Sequence, residues 1–148
     1  MRILLDTNVL CRLATLAHPL HPIAQGAISN LLNDGHELFL VPQNLYEYWV
    51  VATRPLTDNG LGIATVDADQ AVDQWLDLFE FLPNERGIFE VWRELIRSHG
   101  VQGKKAHDAR LVAAMKRYNV SRLLTFNTAD FLRYPGIELL DPATVARN

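Results

Sequence analysis

The chain holds a single cysteine, Cys11, in 148 residues. That excludes an intrachain disulfide and a Cys-based zinc site, and it makes a reducing, cytoplasmic setting the expectation. No apolar run approaches the roughly 18 residues of a membrane-spanning helix, so no membrane association is expected. The opening residues MRILLD set too few apolar residues between a base and an acid to make a signal peptide. Histidines are present but not at metal-ligand spacing: His18 and His21 flank a proline, while His36, His99 and His107 are scattered. Repeats, low-complexity stretches and an interdomain linker are also missing. The composition, 49% hydrophobic and 21% charged, is that of a globular chain, long enough for one domain over 1–148 with one core.

A positive excess is lacking too. The net charge of −3 argues against a surface coated for nonspecific nucleic-acid binding. Its distribution says more than its sum. Lys104, Lys105, Arg110, Lys116, Arg117 and Arg122 surround the lone acid Asp108, whereas Asp67, Asp69, Asp73, Asp77 and Glu80 follow one another with no base between them. Both runs read first as solvated helix faces.

Apolar periodicity supplies the elements. Ile3–Leu5 reads as a buried strand ending at Asp6-Thr7-Asn8, and Val9, Leu10, Leu13 and Leu16 predict a helix that stops before His18-Pro19. Pro22 opens a second helix ending at Asn33-Asp34-Gly35; Leu38–Val41 is a second strand, and Pro42 opens a third helix reaching Arg54. Residues 55–66 form the longest predicted loop. A helix with Ala68, Ala71, Val72, Trp75, Leu76 and Phe79 on one side follows, then a brief strand at Phe81–Pro83. Two further helices carry Ile88, Phe89, Trp92, Leu95 and Ile96, and Leu111, Val112, Met115 and Tyr118. Leu123–Phe126 and Ile137–Leu140 are the last strands. Strands separated by helices indicate an α/β sandwich with a mostly parallel central sheet, in which ligands bind beyond the carboxyl ends of strands.

Three acids fall just after strands or at a helix start, and a fourth, Glu47, projects from the helix that follows the second strand. Asp6 directly follows the first strand, although Asp, Thr and Asn are also preferred helix caps. Glu47 is the only charge in Leu45-Tyr-Glu-Tyr-Trp-Val-Val-Ala52, a helix apolar on nearly all sides and therefore expected to be largely buried. A carboxylate there needs a cation, either Arg54 two turns away or a metal in a wet cleft. Asp108 stands at a helix start, where the local dipole favours the ionised form. Asp130, with Asn127, follows the strand ending at Phe126; the bland alternative is a capped short helix carrying Phe131 and Leu132 into the core. Carboxylates gathered at one sheet edge repel by roughly 4 kcal/mol per pair at ~4 Å, and a divalent cation turns that repulsion into binding. An all-oxygen donor set suits Mg²⁺, with Mn²⁺ as a substitute, better than zinc.

These segments resemble a known family. Ile3-Leu4-Leu5-Asp6-Thr7-Asn8-Val9-Leu10 is similar to the opening motif of PIN domains, and Gln43-Asn44-Leu45-Tyr46-Glu47 to the segment holding their second acid. Ala106–Ala114 resembles the third-acid motif and Leu124–Phe131 the closing one, all in the family's order. The resemblance implies a PIN-like three-layer sandwich and a metal-dependent endoribonuclease. Its short form is similar to VapC-type toxins of toxin–antitoxin pairs. Carried over, Asp6, Glu47 and Asp108 are the core metal-site acids, with Asp130 the fourth. Asn8 and Thr125 support them, Thr125 by positioning water or substrate. Asn127 stands where many relatives carry an acid, which leaves one or two metals open. Lys104, Lys105 and Arg110 would neutralise RNA phosphates. The resemblance further implies hydrolysis to a 5′-phosphate and a 3′-hydroxyl, a small antitoxin partner and a homodimer.

Three other readings remain at this stage. Phosphatases with an Asp nucleophile after the first strand need a second Asp two residues on, where Asn8 stands. Asn127 leaves room for a non-catalytic RNA-binding or regulatory module. An RNA-processing nuclease without a toxin role is the third.

Overall fold

The computed structural model describes residues 1–148. Its elements are β1 (Arg2–Leu5), α1 (Thr7–Leu13), α2 (His21–Asn33), β2 (Glu37–Leu40), α3 (Pro42–Thr53), α4 (Thr65–Leu78), β3 (Glu80–Phe81), α5 (Ile88–Ser98), α6 (Lys105–Tyr118), β4 (Arg122–Leu124), β5 (Glu138–Leu140) and α7 (Pro142–Arg147), with one-turn 3-10 segments at Leu56–Asp58 and Thr128–Phe131. All five strands pair in parallel in the order β3-β2-β1-β4-β5. The first apolar run of the chain is thus the middle of the sheet.

Side chains of a strand alternate between faces, and a central parallel strand is covered on both. Ile3 and Leu5 point with Leu38, Leu40 and Leu124 into a core closed by α1, α2, α3 and α4. Leu4, Phe39 and Leu123 point the other way, against α5 and α6. This is the three-layer α/β sandwich expected from the alternation of strands and helices. Cys11 lies in the first core, where burial pushes its thiol up to about 11 and leaves it chemically quiet.

Several local expectations need correction. α1 ends at Leu13, and Leu16 is exposed: Ala14 N–H already closes on Leu10 O, and the Thr15 hydroxyl donates back to Cys11 O. Leu76, Phe89 and Leu132 also face solvent, so those apolar stripes are narrower than periodicity suggested. The 55–66 stretch is not a free loop. Its 3-10 turn ends at Asn59 in the left-handed region, and Leu61 and Gly62 donate backward to Val51 O and Arg54 O, both at 2.9 Å. α7 had no counterpart among the expected elements. It lies against α2, where Asn30 Nδ2 donates to Val145 O at 3.0 Å and Gly26 lets Ala146 approach.

Candidate active site

β1 lies where the strand order turns, with β2 on one side and β4 on the other, the position at which open parallel sheets bind ligands. Asp6 stands between the end of β1 and the start of α1. It is the N-cap of α1, as its residue type allowed, and its carboxylate is also tied across the sheet. Oδ1 accepts from Thr7 N–H and Oδ2 from the Thr125 hydroxyl, both at 2.7 Å. The fully buried Thr125 hydroxyl in turn accepts from Asn8 Nδ2 at 3.2 Å and Asn127 N–H at 3.0 Å. Asn8 Oδ1 accepts from Phe126 N–H at 3.3 Å. Asp6, Asn8 and Thr125 therefore form one latch joining the carboxyl ends of β1 and β4. Asn127 enters it through its backbone.

Asn44 fixes the third side. Fully buried, it accepts from Val41 N–H at 2.8 Å and donates to Leu5 O at 2.9 Å, pinning the start of α3 to the end of β1. One turn on, Glu47 accepts from Gln43 Nε2 at 2.7 Å, and the same amide donates to His107 O at 2.7 Å. Gln43 thus braces α3 against the start of α6. The expectation that α3 is largely buried is overturned: Tyr46 is 60%, Val50 58% and Trp49 37% exposed. One face of the helix is open, because nothing but the cleft lies outside it. Arg54 does not pair with Glu47; it donates to Asn59 O at 3.0 Å.

The cleft itself has a volume of about 710 Å³. From α3 it is lined by Tyr46, Glu47, Val50, Val51 and Arg54. Its other side is Lys104, Lys105, His107 and Asp108 at the start of α6, with Asp130 from the short 3-10 segment. Lys105 Nζ meets Asp130 Oδ1 at 3.1 Å, an exposed pair. Of the six cations in the basic run, Lys105, Arg117 and Arg122 are held in ion pairs, leaving Lys104 as the cleft's unpaired lysine. Arg110 is not brought to this cleft. It lines a separate cavity of about 460 Å³ with Asn84, Phe89 and Trp92. The acidic run on α4 is a solvated face.

Electrostatics single out two acids. Burial pushes Asp6 up to about 6, against the pull of its Thr125 and Thr7 hydrogen bonds and with the help of the Asp108 and Glu47 charges. Asp108 is also pushed up to about 6, by burial first, then by Asp130 and Glu47, with Lys105 and His107 opposing. Its place in the first turn of α6 does not keep it in the ordinary carboxylate range, contrary to what the helix dipole alone suggests. Asp6 and Asp108 both feel the Glu47 charge, so they share one electrostatic neighbourhood, and the donors there are all hard oxygens. As the side chains stand, no three of the acids close into a ready-made cation cage. What fits a divalent cation is the donor chemistry and the unrelieved repulsion.

Gln43 and Asn44 stand one turn from Glu47 in the sequence, but their bracing contacts do not show there, nor do Tyr46, Arg54 and His107 as cleft walls. Gln and Asn in the first turn of a helix were visible; their partners, distant in sequence, were not.

Fold and site together define the class: a three-layer α/β protein with a parallel sheet and carboxylates gathered at the end of its central strand. The sequence places the chain within it: the PIN domain family model matches residues 3–137, and the chain belongs to that family. Among curated proteins no match is found. Solved structures share the fold at low identity. VapBC2 from Rickettsia felis, bound to a DNA fragment from its promoter, is 19% identical with a TM-score of 0.69, covering 95% of this chain and 98% of that one. VapBC-1 from nontypeable Haemophilus influenzae is 16% identical, TM-score 0.66, with coverage of 96% and 98%. VapC20 of Mycobacterium tuberculosis, a toxin that cleaves the sarcin–ricin loop, is 16% identical, TM-score 0.60, with coverage of 82% and 86%.

Proposed function

We propose that the chain is a divalent-cation-dependent endoribonuclease acting as the toxin of a toxin–antitoxin pair. The observation that carries this reading is the gathering of carboxylates at one sheet edge: Glu47, Asp108 and Asp130 line one open cleft, and the charges of Asp108 and Glu47 reach the buried Asp6, with Asp6 and Asp108 both pushed up to about 6. Mg²⁺ is the ion this oxygen set favours, with Mn²⁺ able to replace it. When bound, such an ion supplies Lewis-acid activation of water and neutralises charge at the phosphoryl oxygens. Asp6 and Asp108 would hold it, and Glu47 and Asp130 would hold further water or a second ion. Thr125, fixed by Asn8 and the Asn127 N–H, holds the Asp6 carboxylate in place at the end of β1. Gln43 holds Glu47 in the same way. Lys104 neutralises a phosphate, and Lys105 does so by exchanging Asp130 for RNA. Neither residue reads sequence, so the RNA target is selected elsewhere.

The toxin role rests on PIN-family membership together with the fold shared with VapBC proteins. A small antitoxin covering the cleft and pairing of two copies belong to the same reading.

One assay tests the chemistry. Labelled structured RNAs are incubated with the protein in Mg²⁺, in chelator, and with Asp6→Asn or Asp108→Asn. We expect cleavage only in Mg²⁺ and a loss of a hundredfold or more in each variant, the order seen when a principal electrostatic group is removed. Equal cleavage by the variants refutes the carboxylate mechanism. RNA binding with no cation-dependent product makes the chain a binding module. Growth arrest on expression, relieved by a neighbouring small gene product, tests the toxin role; normal growth with an active enzyme assigns RNA processing.

A further inference from the structure

The cavity that holds Arg110 plays no part in the hydrolysis above. Arg110 follows Asp108 by two residues, about 200° round the helix, so the two side chains leave α6 on opposite sides. With about 460 Å³ the cavity has the size of pockets that enclose small organic ligands. α5 supplies Ile88, Phe89 and Trp92, the loop before it Asn84 and Glu85, and α6 Arg110. Its walls are fixed. Trp92 Nε1 donates to Ala106 O at 2.8 Å, which ties α5 to the first turn of α6. The loop is stapled to the far end of α6: Arg117 Nη2 donates to Glu85 Oε1 at 2.9 Å and the Tyr118 hydroxyl donates to Pro83 O. Arg117 crosses Gly87 so closely that a Cβ there would lie 2.4 Å from its Nε. Glu85 is thereby spent on Arg117 and leaves Arg110 in no ion pair. The one hydrogen bond of the Arg110 side chain, to Asn84 Oδ1, is stretched to 3.5 Å. Phe89 and Trp92 lie side by side, centroids 5.9 Å apart and planes tilted by 34°, with Phe89 62% exposed. Arg110 stacks on neither ring. The cavity is thus preformed: an aromatic floor beside a free guanidinium and an amide.

We propose that this cavity is a second ligand site and takes a nucleotide, with the base on Phe89 and Trp92 and the phosphate on Arg110. A purely apolar occupant would cover the guanidinium and the amide without pairing them, at the cost of their desolvation. A simple anion would leave the rings in water. A nucleotide meets both needs: its base offers a π-face to the rings and a polar edge to Asn84, and its phosphate matches the guanidinium fork. The same chemistry is presented by a free nucleotide and by one residue of an RNA strand, and the test separates the two. The proposal stands apart from the nuclease reading, because no carboxylate of the cleft takes part.

The test is calorimetric titration of the whole chain in chelator, which removes cation-mediated phosphate binding at the carboxylates. Adenosine monophosphate, adenosine and a short oligoadenylate are the probes. Adenosine should bind about tenfold or more weaker than its monophosphate. Phe89→Ala should weaken the monophosphate about tenfold or more, while Phe89→Tyr, which keeps the ring, should stay within about twofold of the parent. Arg110→Gln should weaken the monophosphate about tenfold and leave adenosine unchanged, and Arg110→Lys should fall between. Melting curves of the same variants keep the result interpretable: affinity that follows stability instead of ring and charge overturns the proposal. Monophosphate and oligoadenylate bound equally assign a free nucleotide. Oligoadenylate bound about tenfold or more tighter, with the same dependence on Phe89 and Arg110, assigns a nucleotide within a strand. No binding of either probe at millimolar concentration overturns the site. Binding indifferent to Phe89 and Arg110, or lost in Lys104→Ala instead, places the nucleotide in the carboxylate cleft and also overturns it. Failure of the nuclease reading is seen separately, as RNA left uncut in every divalent cation.

Discussion

The hydrogen-bonded floor at the carboxyl ends of β1 and β4 and the rim of the neighbouring cleft are built on different principles. At the floor, Asp6, Asn8, Asn44 and Thr125 are locked by hydrogen bonds between segments more than 35 residues apart, inside the core. At the rim, Lys105 and Asp130 meet in the open, and Tyr46 and Val50 extend into solvent. A buried polar group left without its partner costs its full desolvation, whereas an exposed ion pair is worth little. The floor therefore fixes geometry, and the rim is free to exchange its partners for a ligand.

Four measurements break or sharpen this contrast. The largest stability effect is expected from Asn44→Ala, which orphans Val41 N–H and Leu5 O inside the core; about 2–3 kcal/mol should be lost in denaturant titration. A loss below about 0.5 kcal/mol would mean that the floor is not held as described.

The second concerns pH in the absence of metal. Asp6 and Asp108 both stand at about 6 in the folded chain against 3.8 as the ordinary value. Between those values the folded state binds protons that the unfolded state does not, so these groups make the fold more stable as pH falls from about 7 toward 4. Each charged form destabilises the metal-free fold at neutral pH by an amount of order 1–3 kcal/mol. The double variant Asp6→Asn/Asp108→Asn should accordingly melt higher than the parent at about pH 7.5 in chelator, with the advantage shrinking toward about pH 4.5. Added Mg²⁺ should raise the parent's melting temperature at the higher pH and lose that effect below about 6, as protons compete. An advantage independent of pH would show that the two carboxylates carry no unrelieved charge.

Third, Thr125→Val removes the donor to Asp6 while keeping the side-chain shape. Stability should fall by about 1–2 kcal/mol, and the acid limb of the pH–rate profile should move upward, because the lost hydrogen bond had held Asp6 down. An unmoved limb would detach Thr125 from the titration of Asp6. The smallest effect belongs to Lys105→Ala, which breaks only the exposed pair with Asp130. Its stability should match the parent's within about 0.5 kcal/mol, while RNA affinity weakens and its salt slope falls by about one. A clear loss of stability would make Lys105 part of the scaffold.

The same contrast separates what was legible in the sequence from what was not. Short-range patterns translated well: Ile3–Leu5 and Leu38–Leu40 became the central strands, and Pro22 and Pro42 marked the starts of α2 and α3. Periodicity failed where burial depends on a distant neighbour. α3 looked apolar all round, yet Tyr46 and Val50 face the cleft, since no element covers that side. α7 is not legible in the sequence because six residues give too little period to read, and its place depends on Gly26 and Asn30 of α2.

Asp6, Asp108 and Asp130 were nameable from their positions after strands or at a helix start, and Glu47 from its apolar surroundings. Their chemistry was not. The sequence by itself determined the parallel α/β framework, because alternation of apolar runs and helical periods is local. It also determined membership of the PIN family, because ordered motifs survive in one dimension. Tertiary structure alone decided that Asp6 and Asp108 are pushed up to about 6, that Glu47 is braced by Gln43 and not by Arg54, and that Arg110 lies away from the cleft. Each of these depends on desolvation or on a distance between residues far apart in the chain, and neither quantity exists until the sheet has formed.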